Sequence, residues 1–327
     1  LPRRDATILA LAIVASVASV TLPLFITAPI LSFVVSAVAL GFLASAVGRA
    51  TEQLGSHIGP GATGVLQSTL GNLPELFVGI FALRAGLVSV VQAALVGSIL
   101  ANTLLVLGFA LLLGGLRHGT QRFSARSPRM TATLLLLAVG TLAIPTIASH
   151  THAPAARHTQ AFDIVCSVVL LVIFFVSIPF FVRDEPAARH AQGSEGCAEL
   201  ARDPDAHAEW SLPLTIGVLV AAGLGAAFVS ERFVDVITPT VATLGISEEF
   251  TGLVIVAIAG NAVEHVVGVR LAMQNKLDYA LSIILMSSLQ VAIGLGPVLV
   301  LLSYVLGGAV LPLVLRPLLV VGMALAA

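Results

Sequence analysis

The sequence predicts an all-α polytopic membrane protein containing an internal repeat of opposite orientation, and three observations lead there. Of 327 residues, 57% are hydrophobic and only 10% charged, with a mean hydropathy of +1.04, far above the roughly half apolar, quarter charged make-up of soluble domains. The apolar residues gather into runs of about 20, the helix length that crosses a hydrocarbon core. Two of these runs carry one polar motif, GNLPELFVGI at 71–80 and GNAVEHVVGV at 260–269.

Ten candidate spans follow, at about 6–28, 30–48, 61–83, 87–115, 130–149, 161–182, 211–230, 250–273, 278–302 and 305–327. The boundary between the last two is the weakest, with only Gly307, Gly308 and Pro312 as punctuation. The long polar interruption, 183–210, carries seven acidic residues against three arginines and divides the chain into halves. The first residue is Leu1, so the natural N-terminus is expected upstream, and nothing visible resembles a signal peptide.

Bulk charge is close to balanced, sixteen basic against seventeen acidic residues, so it points to no nucleic-acid partner. Cys166 and Cys197 have neither metal-ligand spacing nor a disulfide pattern. Orientation comes from the arginines. Arg3 and Arg4 precede span 1, and Arg117, Arg122, Arg126 and Arg129 separate spans 4 and 5, so both sides are expected in the cytoplasm. The acidic segment then faces the cytoplasm as well.

The repeat carries most of the functional information. Gly71, Asn72, Glu75 and Gly79 map on to Gly260, Asn261, Glu264 and Gly268 at a constant offset of 189, and GSILAN at 97–102 lies opposite MSSLQV at 286–291 more loosely. The motifs fall in spans 3 and 8, which cross the bilayer in opposite directions because the span numbers differ by an odd count. Secondary transporters use such inverted repeats, with ion sites near the midplane.

A carboxylate at the centre of a membrane helix costs about 2.5 to 3.5 kcal/mol on insertion scales, so Glu75 and Glu264 need a reason. Asn72 and Glu75 share a helix face, as do Asn261 and Glu264. Pro74 has no amide hydrogen and leaves the carbonyl of Leu70 without its helical donor, while Gly71 and Gly260 loosen the backbone beside each glutamate. Ser98 with Asn102, and Ser287 with Gln290, add oxygens in otherwise apolar helices. Carboxylates, amides, carbonyls and hydroxyls without cysteine form a hard donor set that suits calcium better than softer metals.

Each feature has a plainer reading. Small residues also serve helix packing, membrane serines bond back to their own helices, and Asn102 or Gln290 can hold helices together. His265 is either a proton-sensitive neighbour of Glu264 or a hydrogen-bonded core histidine. The acidic segment, with Asp184, Glu185, Glu195, Glu199, Asp203, Asp205 and Glu209, is either a solvated linker or a modulator that concentrates cations at the inner mouth.

At these residues the chain resembles the calcium/proton exchangers, within the calcium:cation antiporter superfamily. The likeness runs from GRATEQLGSHIGP in span 2 through GNLPELFVGIFALRAG, VQAALVGSILANTLLVLG and GNAVEHVVGV to MSSLQ in span 9. It implies one extra helix (1–29), two inverted five-helix repeats (30–182 and 211–327) and an acidic cytoplasmic linker (183–210). It implies that Glu75 and Glu264 bind Ca2+ and protons in turn, helped by Asn72, Asn261, Ser98, Asn102, Ser287 and Gln290, with Gln92 assisting. Eleven spans are implied, so either the second repeat lacks its last helix here or a break is missed near residue 305. Pro74 departs from the usual small residue or Thr, which puts the local bend and the selectivity in question.

The expected function is therefore Ca2+/H+ antiport by alternating access in a bacterial-type cytoplasmic membrane, with the N-terminus inside. No cofactor is expected, and the partners are the two ions and the lipid bilayer. One carboxylate per repeat favours protons over sodium as the counter-ion. The alternatives are a Na+(K+)/Ca2+ or monovalent cation/H+ antiporter of the same superfamily, a cation channel, and an intramembrane metallo-enzyme. The enzyme reading is weakened because neither His-Glu-x-x-His nor His-x-x-Glu-His is present.

Overall fold

The computed structural model describes residues 2–58, 70–124, 126–151, 158–191 and 210–327, and every regular element among them is helical. In chain order these are α1 (Arg3–Phe25), α2 (Pro29–Ile58), α3 (Leu73–Arg84), α4 (Val88–His118), α5 (Arg126–His150), α6 (Thr159–Ala191), α7 (Leu212–Asp235), α8 (Ile237–Leu244), α9 (Glu248–Gly260), α10 (Ala262–Met273), α11 (Leu277–Ser303) and α12 (Pro317–Ala326). Seven of the described spans are long and apolar enough to cross a membrane, α7 with α8 counting as one, and the pair α9–α10, bent by 62°, makes an eighth. The other two expected spans are represented by α3, which begins only at Leu73, and by α12, which has 10 residues. The chain is a multi-pass integral membrane protein. Exposed Leu11, Ile13, Val14 and Val17 on α1 are therefore ordinary lipid-facing side chains rather than an anomaly.

The offset of 189 reappears in the backbone. Helices α3 and α10 both have 12 residues and start 189 apart, as do α4 and α11. The turns that follow α3 and α10 each contain a left-handed residue, Gly86 at φ 79° and Asn275 at φ 60°, again 189 apart. Glycine meets no Cβ penalty there and asparagine tolerates it better than most residues. Within α4 the turns at Ala101–Val106 widen to a π-helix, and α11 does the same over Val291–Leu295, the same stretch at that offset less its first residue. A third π segment, Thr251–Val256, lies in α9.

By compactness the chain divides into two units. The first comprises Leu1–Val78 and Val176–Leu244. Here α2 packs on α7 and on α1. Ala39, Leu43, Ala46 and Ala50 of α2, and Ala222, Ala226, Val229 and Phe233 of α7, are buried at helical spacing, so small residues let the two axes approach. Phe33 stacks on Phe233 with centroids 4.8 Å apart. On α1 only Asp5, Ala12 and Ser19 are buried, a stripe one residue wide. Asp5 anchors a polar knot: Arg49 donates to both its oxygens (3.0 and 2.9 Å), and the indole N–H of Trp210 donates to Oδ2 at 3.2 Å. The Trp210 backbone joins α2 through Gln53 and His57.

The second unit comprises Gly79–Phe175 and Gly245–Ala327. Its tightest crossing sets α4 on the π segment of α9. A Cβ on Gly97 would run into the backbone of Leu253, and one on Gly252 into the backbone of Val90. Around α10, Val106, Ala110, Ala272, Ala280, Leu281 and Ile284 form a buried apolar cluster.

Between α11 and α12 the expected helix from residue 305 is replaced by an irregular strap, Tyr304–Arg316. Leu311, Leu313 and Leu315 are buried in alternation with half-buried neighbours, the period of extended chain rather than helix. The strap's backbone is satisfied by side chains and by a helix end. Leu311 N–H donates to Ser303 Oγ (3.0 Å), Gln92 donates to the carbonyls of Pro312 (2.8 Å) and Val314 (3.1 Å), and Ala309 N–H donates to the carbonyl of Leu83 (3.0 Å). Thr146 both donates to the Leu313 carbonyl (3.3 Å) and accepts from Leu315 N–H (2.8 Å). Arg316 closes the strap on Glu249 at 2.6 Å. Non-helical backbone is tolerated at membrane depth where protein groups take its hydrogen bonds.

Candidate ion-binding site

Both motifs lie where a helix breaks. In the first unit Leu70 precedes a turn at Gly71–Asn72, after which α3 starts at Leu73. Pro74 falls in the first turn of α3, where a missing amide hydrogen has no intrahelical partner to lose. The new helix closes by Leu76 N–H on the Asn72 carbonyl at 3.0 Å, and Asn72 is buried. In the second unit α9 ends at Gly260, Asn261 leaves helical geometry at φ −99°, ψ 16°, and α10 starts at Ala262. Glu75 and Glu264 each occupy the first turn of the new helix. There the helix dipole favours negative charge, which offsets part of the cost of burying it.

The second unit builds the most complete polar cluster. Asn261 Nδ2 donates to Ser98 Oγ at 3.0 Å and to the Ala257 carbonyl at 3.1 Å, and its Oδ1 accepts from Ser287 Oγ at 3.3 Å. Asn102 Nδ2 in turn donates to Ser287 Oγ at 3.0 Å. Asn102 and Asn261 are each 0% exposed, so this chain of neutral groups ties α4, α11 and the α9–α10 break in a dry interior. On the same elements, α4 and α10, three buried atoms have no hydrogen-bond partner among the described residues: Glu264 Oε2, Asn102 Oδ1 and His265 Nε2. Two of them are oxygens of the kind a hard cation takes.

Of the residues expected from sequence, Ser98, Asn102, Asn261, Glu264, His265 and Ser287 belong to the second unit, where Ser98, Asn102, Asn261 and Ser287 are linked by hydrogen bonds. Gln290 is half-buried at the end of the α-helical part of α11, directly before its π segment. Leu70, Gly71, Asn72 and Glu75 belong to the first unit. Gln92 donates its side-chain N–H groups to two strap carbonyls. Gly79 and Gly268 pack against Leu299 and Ile284, where a Cβ would come within 2.6 and 2.8 Å of side-chain carbons. Glu195 and Glu199 lie outside the described residues. What sequence reasoning missed is the π turns beside the serines and asparagines, a feature often found at functional sites.

Residues 28–183 and 214–327 match the sodium/calcium exchanger protein family. The chain belongs to that family, in its calcium/proton exchanger branch. It is 35% identical over 285 residues to the Ca(2+)/H(+) antiporter of Synechocystis sp., covering 84% of this chain and 76% of that protein. Similarity to the Ca(2+)/H(+) antiporter ChaA of Bacillus subtilis is also 35% over 272 residues, with 83% and 76% covered. Native YfkE superposes with a TM-score of 0.76 at 31% identity over 98% of this chain and 87% of that one. The H+/Ca2+ exchanger CAX, at 14% identity and a TM-score of 0.74 over 99% and 80%, shares the fold. The protein is a transporter rather than an enzyme.

Proposed function

We propose that this protein exchanges Ca2+ for H+ by alternating access, with Glu75 and Glu264 taking the cation when ionised and protons when neutral. The observation that carries the reading is Glu264: a carboxylate in the first turn after a helix break, its Oε2 buried and unpartnered, beside the Asn102–Ser287–Asn261–Ser98 chain. The repeat gives Glu75 the equivalent place in the other half. The neutral side chains mostly satisfy one another, so they act chiefly by holding the broken helices in register, and Asn102 Oδ1 is the neutral oxygen left for a cation.

Competition at one pair of carboxylates couples the fluxes. A loaded or doubly protonated site is neutralised and can change its facing, whereas an empty one leaves bare carboxylates in low dielectric, which opposes slippage. Moving each charge against a potential of about 100 mV costs ~2.3 kcal/mol. Two protons per Ca2+ make the exchange electrically neutral, and a third lets the potential assist export. The arginine pattern supports a cytoplasmic N-terminus, and the matched helix lengths, left-handed turns and π segments support two inverted repeats.

The test is Ca2+ uptake into proteoliposomes under an imposed pH gradient, repeated with Na+, K+ and Mn2+. Uptake driven by the proton gradient and matched by proton release is expected. Uptake that needs Na+ instead, or that runs without any counter-ion gradient, would overturn the reading in favour of a sodium-coupled exchanger or a channel.

A further inference from the structure

A further buried carboxylate lies in the membrane region, outside the glutamate motifs and away from the Asp5 knot. Asp163 is four residues, about 6 Å at 1.5 Å per residue, inside the start of α6. It is 2% exposed. The strap approaches it at the backbone N–H of Leu313, while its Oδ1 is buried without a partner among the described residues. One turn along the same helix face, Ser167 is 0% exposed and its Oγ is likewise buried and unpartnered.

The titratable groups facing Asp163 are themselves acids, the Cys166 thiol on α6 and the Tyr304 phenol at the start of the strap. Among the described residues no arginine, lysine or histidine forms an ion pair with it. The neighbouring strap carbonyls of Pro312 and Leu313 are already taken by Gln92 and Thr146. The acceptors without any hydrogen bond among the described residues are thus one carboxylate oxygen and one hydroxyl. A lone carboxylate in a dry interior is heavily penalised unless positive charge accompanies it. Two oxygens are far too few for Ca2+, which takes six to eight.

We propose that Asp163, with Ser167 one turn along α6, forms a further site for a single positive charge, a proton, separate from the exchange glutamates and closed over by the strap. The proton resides on Asp163 Oδ1, the carboxylate oxygen left without a partner.

The E75Q/E264Q protein in lipid nanodiscs provides the test, because removing the exchange carboxylates makes the outcome independent of the transport reading. Its infrared spectrum should show a pH-dependent C=O band of a buried carboxylic acid that is lost when D163N is added, kept by D163E, and shifted in frequency by S167A. That result identifies the charge as a proton. Absence of the band, with melting raised by NaCl or KCl over choline chloride only when Asp163 is present, would overturn the proposal in favour of a monovalent cation. The proposal fails if neither signal depends on Asp163, or if S167A moves neither.

Discussion

Asn261 and Ser98, 163 residues apart in sequence, meet at 3.0 Å, the amide nitrogen donating to the hydroxyl oxygen. The contact pins the break between α9 and α10 to α4. Because Asn261 also accepts from Ser287, replacing it by Ala takes a hydrogen bond from each of two buried hydroxyls, Ser98 losing its side-chain partner and Ser287 keeping Asn102. A buried polar group left unsatisfied costs about 1–3 kcal/mol. Asn261→Ala should therefore lower both stability and apparent Ca2+ affinity, whereas Asn102→Ala, which removes one bond to Ser287, should weaken affinity with a smaller loss of stability. Denaturant titration alongside uptake kinetics separates the two, and equal stability losses would contradict this division.

The breaks themselves were legible in Gly-Asn-x-x-Glu, because glycine, proline and a lone carboxylate are each unfavourable inside a membrane helix unless it is interrupted there. The π turns were not. A stretch such as ANTLLV has no local signature for i→i+5 bonding, which is selected by packing. The strap was misread as helix because VLPLVL is equally apolar in either conformation. Only its polar contacts decide for extended chain, and while Ser303 is nearby, Gln92 and Thr146 lie more than a hundred residues away in sequence, outside any local window.

Replacing either glutamate by glutamine should abolish exchange without loss of folding. Gln copies the shape of the neutral acid but cannot release a proton or carry the charge that binds Ca2+. Transport in proteoliposomes should fall to the level of empty vesicles while the elution profile and melting temperature stay near those of the native protein. Near-normal uptake by either Glu75→Gln or Glu264→Gln would remove that residue from the mechanism.

The crossing of α4 and α9 predicts a position-specific glycine requirement. A methyl group at Gly97 meets backbone atoms of Leu253, which cannot rotate away, whereas Gly108 on the same α4 has nothing within 4 Å of an added Cβ. Overpacking of this kind costs about 1–3 kcal/mol or more. Gly97→Ala should lower the melting temperature and impair transport, and Gly108→Ala should do neither. If the two variants melt alike, α4 and α9 do not cross as tightly as described.

Thr146→Val is nearly isosteric and removes a hydroxyl that serves the strap twice, as donor to Leu313 and acceptor from Leu315. A buried N–H and a buried carbonyl lose their partner, at a cost of about 1–3 kcal/mol for each unsatisfied group. Amide exchange at residues 313–315 should speed up. Thr141→Val is the control, since that hydroxyl only bonds back to the Leu137 carbonyl one turn earlier on α5. Unchanged exchange in Thr146→Val would mean that the strap is held by its buried leucines alone.

The knot around Asp5 can be read optically, because Trp210 is the single tryptophan of the chain. Its indole is 1% exposed and donates to the same carboxylate that Arg49 grips with two nitrogens. Asp5→Ala leaves the guanidinium and the indole N–H without that acceptor. Breaking a fully buried pair costs about 3–5 kcal/mol, but Arg49 is 29% exposed and keeps Glu52, so a loss nearer ~2 kcal/mol follows once solvent screening is allowed for. Asp5→Ala should therefore lower stability and shift Trp210 emission to longer wavelength, with greater quenching by acrylamide, as water reaches the indole. Glu52→Gln, altering a carboxylate that is 57% exposed, should change stability by no more than about 1 kcal/mol and leave the emission in place. An unmoved spectrum in Asp5→Ala would show that packing against α2, rather than the carboxylate, fixes Trp210 and with it the start of α7.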